Sequence, residues 1–189
     1  MSKGLYRPGE FKDNCGFGLM AHMQGEPSHD LLLKAIEALA CMTHRGGIAA
    51  DGKTGDGCGL LMQIPDTFLR AAAKSELGVE LGENYAVGMV FLSKEPAQAD
   101  AARETLNKEL AAQGLTVAGW RIVPTDESCL GPIAKDTLPK IEQVFVTTDK
   151  TERELDVSIY TARRKAEIAL AADEDFYICS LSDKVISYK

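Results

Sequence analysis

Three short runs hold the residue types best able to do chemistry: Asp13-Asn14-Cys15-Gly16-Phe17-Gly18, His44-Arg45-Gly46 and Thr54-Gly55-Asp56-Gly57. Cys15 stands at the start of a small-residue stretch, behind a short polar leader, Met1–Asn14, with little reason to fold. Thiols attack as thiolates, and an unperturbed cysteine is only slightly ionised near neutrality. A free α-amino group on the same residue, with a pKa of about 7.7–8.0, can take the thiol proton and later return it. The arrangement therefore suits a nucleophile uncovered by cutting the chain between Asn14 and Cys15. While Asn14 still acylates the Cys15 nitrogen, that base does not exist. The plain alternative is that Cys15 is a small core residue, as free cysteines usually are.

The neighbouring groups divide in the same way. Gly16 lacks a side chain, which leaves room for a substrate to approach the thiol. Arg45 either supports the Cys15 region electrostatically or bonds carbonyls at the end of the first helix, where a cation is favoured; the structural role is the preferred one. His44 reads as a capping or core histidine, because the α-amine already fills the acid–base role. Asp51 and Asp56 either organise a pocket wall or, as preferred here, build tight turns with the surrounding glycines. The run is no P-loop, since Lys53-Thr54 precedes Gly55 and Gly57 instead of following the glycines. Cys41, Cys58 and Cys179 sit in apolar runs and are expected in the core, and Cys129 is expected in a loop. Five scattered cysteines without a CxxC pair argue against a disulfide framework or a zinc site. Met20, Met23, Met42, Met62 and Met89 are expected as core or gap-filling residues.

The elements that must position these residues follow from periodicity. Gly16 to His22 alternates Phe17, Leu19 and Ala21 against smaller or polar neighbours and predicts a strand. Pro27-Ser28 starts a helix that runs to about Thr43. His44 to Gly59, with six glycines and two aspartates, can only be a tightly turned loop. Strands are predicted at 60–64, 85–92, 116–123 and 141–147, and helices at 65–77, 96–113 and 151–172. The last helix carries a capping-box signature in Thr151-Glu152-Arg153-Glu154. Residues 176–181 and 184–188 are predicted to pair as a hairpin around Ser182-Asp183. The terminal hairpin and the strand after Cys15 suggest a mixed sheet in a layered α/β sandwich.

Composition narrows the partners. The 189 residues carry a formal charge of −7, with no basic stripe to neutralise phosphates, which argues against nucleic acid. The densest basic cluster, Arg163-Arg164-Lys165, is read as a solvated helix face. No apolar run is long enough to cross a bilayer, and the leader lacks the apolar segment of a secretory signal. A cytoplasmic protein without a membrane partner is expected.

Cys15-Gly16-Phe17-Gly18, taken with the run from His44 through Asp51-Gly52-Lys53-Thr54-Gly55-Asp56-Gly57 to Gly59, resembles class II glutamine amidotransferases. Within them the likeness is to the amino-terminal glutaminase domain of the glutamate synthase large subunit. The resemblance implies an α/β (α+β) fold, the N-terminal-nucleophile hydrolase αββα sandwich, present here in part. Residues 1–14 would be a leader or propeptide, and 15–189 the amino-terminal part of the amidotransferase domain. It also implies Cys15 as the catalytic thiol, with Gly16 and Arg45 as supporting residues and no metal ligand. L-Glutamine would be hydrolysed to glutamate and ammonia, and the ammonia used for reductive amination of 2-oxoglutarate. No cofactor is expected in this segment; flavin mononucleotide (FMN) and an iron–sulfur cluster are implied for the full-length enzyme. The implied partners are the remainder of the large subunit and a small subunit or ferredoxin. The family's His-Gln-Arg-Phe and His-Asn-Gly-Glu segments, which supply a carboxylate clamp and oxyanion donors, have no counterpart here. Losing one such donor lowers a rate by roughly 10²–10³, so a chain truncated in this way is expected to be nearly inactive alone. The competing readings are a non-catalytic scaffold fragment of the same fold and another N-terminal-nucleophile amidohydrolase.

Overall fold

The computed structural model describes residues 16–43 and 46–188. The chain divides between Cys58 and Gly59 into two compact units. In the first, α1 (His29–Cys41) begins where the Ser28 hydroxyl accepts the Leu31 N–H at 3.2 Å, satisfying one of the free donors of the first turn. Its least exposed positions, Leu31, Leu32, Ala35, Ala38 and Leu39, recur at helical spacing, but none is fully buried.

The second unit is built on a four-stranded antiparallel sheet, ordered β3 (Thr116–Ile122), β4 (Lys140–Thr147), β2 (Tyr85–Leu92), β5 (Tyr177–Ser182). β2 and β4 pair over their full length, from Tyr85 opposite Thr147 to Leu92 opposite Lys140. The near-continuous apolar sequence of β2 is explained by burial on both faces, whereas β4 carries Glu142 and Gln143 buried among its apolar residues. One face, through Ala86, Val90, Val144 and Val146, packs on α3 (Pro96–Ala112) and α5 (Glu152–Ala169), which present Ala102, Leu106, Leu110, Ile159, Ala162 and Ala166. The opposite face, through Val87, Met89 and Phe145, packs on Leu69 and Ala73 of α2 (Asp66–Ala72) with its π-helical extension (Ala73–Leu77). Ile186 and Met62, from a second two-stranded sheet of β1 (Leu60–Gln63) and β6 (Val185–Tyr188), complete that layer. The layering is helix, sheet, then a second sheet with a helix, as expected for part of an αββα sandwich.

Two glycines are dictated by geometry. At Gly88, in mid β2, a Cβ would lie 2.7 Å from Val144 Cγ1 and 3.0 Å from Leu181 Cδ1. Gly114 takes φ of +72°, the left-handed conformation that ends α3.

Several sequence expectations are corrected here. Residues 16–22 form no strand, and Phe17 and Leu19 are each 89 % exposed. Alternation gives a segment two faces, but a strand exists only when its backbone finds a partner. The last two strands do not pair with each other: β5 joins β2, and β6 joins β1. Ser182 Oγ accepts the Lys184 N–H at 3.0 Å, turning the chain from one sheet into the next. Between the strands predicted at 116–123 and 141–147 lies a short helix that periodicity did not announce, α4 (Pro132–Asp136), which Pro132 opens at the first turn. The Thr151 hydroxyl makes no capping bond, and Glu152 adopts φ of +47°. Cys41 and Cys58 are exposed, because small size permits burial without requiring it, whereas Cys179 is half-buried and packs against the core cluster that holds Val87, Met89 and Phe145. Met89 is buried as expected, whereas Met20, on the segment that forms no strand, is 44 % exposed and Met23, in the turn after it, 93 %. Arg163 is more than a solvated charge: its Nη2 donates to the Ile178 carbonyl at 2.8 Å, tying α5 to β5.

Candidate functional site

Three of the residues singled out for chemistry, Cys15, His44 and Arg45, lie outside the described residues. Gly16 is described and exposed, at the head of the irregular 16–22 segment. The glycine-rich run is described from Gly46 onward and is ordered by its own side chains. Gly46 N–H donates to the Thr43 carbonyl at 3.1 Å, continuing the turn after α1. Residues 47–49 and 54–56 then form a miniature hairpin. Ile48 bridges Gly55, Ala49 N–H donates to Thr54 O at 2.7 Å, and Asp56 N–H donates to Gly47 O at 3.2 Å.

Two aspartates hold this hairpin at opposite ends. At the tip, Asp51 Oδ1 accepts the N–H groups of Lys53 (3.0 Å) and Thr54 (2.8 Å), and its Oδ2 accepts the Thr54 hydroxyl at 2.5 Å. Gly52 supplies the positive φ, +68°, that the turn requires. At the base, Asp56 Oδ2 accepts the Gly47 N–H at 2.6 Å, nine residues away in sequence. Both aspartates therefore build turns, the role preferred from sequence.

The second unit contains polar groups that local sequence did not reveal. Arg121, on β3, donates from Nη1 to Gln143 Oε1 at 2.8 Å and from Nε to Glu76 Oε2 at 2.7 Å. The partners are 22 and 45 residues distant, so no local pattern announces them. Gln143 is fully buried and its Nε2 has no hydrogen-bond partner. A cleft of about 570 Å³ is lined by Gln63, Asp66, Tyr85, Asp183, Lys184 and Val185 among others. Burial, and then the 2.8 Å hydrogen bond to Asp66, hold the Tyr85 phenol above its ordinary pKa. The 2.6 Å contact with Asp156 keeps Lys184 as an ammonium. Neither is a nucleophile near neutrality. Among the described residues no group of three or more His, Cys, Asp or Glu side chains is placed to hold a metal ion. No helix among them is long and apolar enough to cross a membrane.

The chain matches the family model of glutamine amidotransferases class-II over residues 15–189. It belongs to that family. Among curated relatives, it is 37 % identical over 192 residues to the glutamate synthase (NADPH) large chain of Bacillus subtilis, covering 100 % of this chain and 13 % of the relative. It is 42 % identical over 183 residues to ferredoxin-dependent glutamate synthase 2 of Synechocystis sp., covering 95 % and 12 %. The glutamate synthase (NADPH) large chain of Azospirillum brasilense is 38 % identical over 190 residues, with 97 % and 12 % covered. The chain thus spans about an eighth of the length of these relatives. Within this class-II chain, the match opens on Cys15 and takes in the 46–57 hairpin.

Proposed function

We propose that the chain is the glutaminase part of a glutamate synthase, acting through Cys15 once residues 1–14 have been removed. One observation carries the reading: the family match begins at the cysteine whose α-amine would be the base. The chemistry needs few parts. The free α-amine takes the thiol proton, and the thiolate attacks the side-chain amide carbon of L-glutamine. The C–N bond breaks, the departing nitrogen takes the proton back from the ammonium, and ammonia leaves. Water then attacks the thioester, aided by the same amine, and glutamate departs as the thiol re-forms. Gly16 keeps the approach to sulfur open, and Arg45 supports the Cys15 region.

In the whole enzyme the ammonia would be consumed in reductive amination of 2-oxoglutarate, a reaction whose redox chemistry belongs to FMN and an iron–sulfur cluster. These groups would be held by the remainder of the large subunit. Relatives named for NADPH and for ferredoxin both match this chain, so a small subunit or ferredoxin would bring the electrons. A cytoplasmic location fits this scheme.

The test is made on the intact polypeptide. Mass analysis of the mature protein is expected to find Cys15 as its first residue, and Cys15→Ala to abolish glutamine-dependent glutamate release. A polypeptide that retains Met1 and still releases ammonia from glutamine excludes the α-amine mechanism.

A further inference from the structure

We propose that the outward face of α5 is a self-association surface, against which a second copy of this chain lays its own α5 antiparallel. α5 spends Leu155, Ile159, Ala162 and Ala166 on the sheet, so an ordinary amphipathic helix would turn only polar groups outward. Instead Val157 (55 % exposed), Tyr160 (65 %) and Ile168 (67 %) face water. They follow one another at spacings of three and eight, with Arg164 between, so all four fall on one side of the helix. Single exposed apolar residues are commonplace. Three aligned along one helix, with an arginine stem bridging them, make a continuous apolar strip.

The charges on either side of the strip name the occupant. In the first half of α5, Glu152, Glu154 and Asp156 against Arg153 give a net −2. In the second half, Arg163, Arg164 and Lys165 against Glu167 give +2. An acidic start and a basic end also suit the helix dipole, but a dipole asks for no apolar strip between them. Turned end for end about Tyr160 and Thr161, the midpoint of Glu152–Ala169, the helix sets each acidic half against a basic one. A twofold pairing requires this, since one patch must complement itself. Glu154 and Lys165 are eleven residues apart, about three turns, and so share a flank of the strip. The twofold axis then brings Glu154 to Lys165 of the partner subunit, twice per dimer. Arg163 and Arg164 are held on Glu167, whereas Lys165 is exposed and has no ion-pair partner among the described residues. Glu154, 69 % exposed, also meets Lys150 at 3.1 Å. With 18 residues α5 is about 27 Å long and about 10 Å wide. That is well under the roughly 800 Å² per partner of a stable complex, so the dimer is expected to be weak.

Sedimentation equilibrium of the 189-residue chain, from about 10 µM to about 500 µM, tests this. The parent is expected to pass from monomer toward dimer as concentration rises. Glu154→Lys and Lys165→Glu each set like charges together at both contacts, and each is expected to weaken the dimer by roughly tenfold. Mixed in equal amounts, the two variants restore opposite charges at both contacts. The mixture is expected to associate within about threefold of the parent. A variant weakened by misfolding would not be rescued by mixing, so the rescue is read independently of stability. A parent that stays monomeric at the highest concentration overturns the inference. Single variants that associate like the parent overturn it too, because the contact then lies elsewhere, as does a mixture no tighter than its components.

Discussion

Glu167 illustrates how a single charged residue is held on this fold. Partial burial pushes its carboxyl upward, but hydrogen bonds from Arg163 and Arg164 outweigh that and set it below the ordinary 4.5. The Arg163 bond measures 2.7 Å, and the same guanidinium also donates to Ile178 O in β5. A carboxylate whose pKa is lowered in the folded state contributes stability that is full above its unfolded value. That contribution is lost as pH falls through the folded value. The prediction is a pH-dependent one. Glu167→Gln should lower Tm at neutral pH, with the gap to the parent closing as pH drops below about 4.5. A gap that stays constant from neutral to acid pH would mean that the Arg163–Glu167–Arg164 cluster contributes no charge-dependent stability. The basic run at 163–165 was visible in the sequence, but its service to β5 was not. Which of three adjacent cations meets a carbonyl depends on where a strand 15 residues away has come to lie.

β2 shows how an element constrains its residues. It is flanked on both sides, by β4 and β5, and Gly88 sits where any side chain would meet Val144 and Leu181 at once. Val144 is fully buried and Leu181 nearly so, so neither can give way. Gly88→Ala is therefore expected to destabilise by about 1–3 kcal/mol, as overpacked cores do. Gly119, on the edge strand β3, would place its Cβ 2.9 Å from Leu77 Cδ1. There the obstacle is the end of one flexible, partly buried side chain, and Gly119→Ala is expected to cost less than about 1 kcal/mol. Urea unfolding of the two variants measures the contrast, through shifted midpoints at unchanged slope; equal shifts would contradict it. The same burial explains why β2 was legible from sequence, whereas β4 was read from its alternation. A strand covered on both faces reads as a continuous apolar run, α3 is marked by its alanine and charge content, and α5 by its 3.6-residue periodicity. Residues 16–22 and the 176–188 pair misled because alternation states which side chains share a face and never which strand lies beside them. At the second of these, a serine that accepts two backbone N–H groups, Lys184 and Val185, turns the chain between sheets.

Across the whole molecule, the chemistry and the packing are written in different parts of the chain. The family's motif residues fall in short local runs before Gly59, so Cys15, Gly16 and Arg45 could be nominated from spacing and resemblance alone. The Glu76–Arg121–Gln143 cluster, assembled from three distant elements, could not. Burial divides in the opposite sense. Residues 59–188 contain two apolar clusters on the two faces of one sheet, whereas α1 has no buried residue and the 46–57 hairpin is held by hydrogen bonds at exposed or half-exposed positions. Local opening follows buried contact, because amides backed by few apolar neighbours exchange without global unfolding. Hydrogen exchange of the 189-residue chain is therefore expected to show its slowest amides in β2, β4, α3 and α5. Those of α1 and of residues 47–56 should exchange orders of magnitude faster, through openings that need not disturb the sheet. Mild denaturant adds a second readout: it should accelerate the first group steeply, because its exchange exposes the cores, and the second group little. Matching protection and matching denaturant sensitivity in α1 and β2 would show that the first unit opens only with the second, against the distribution of buried surface.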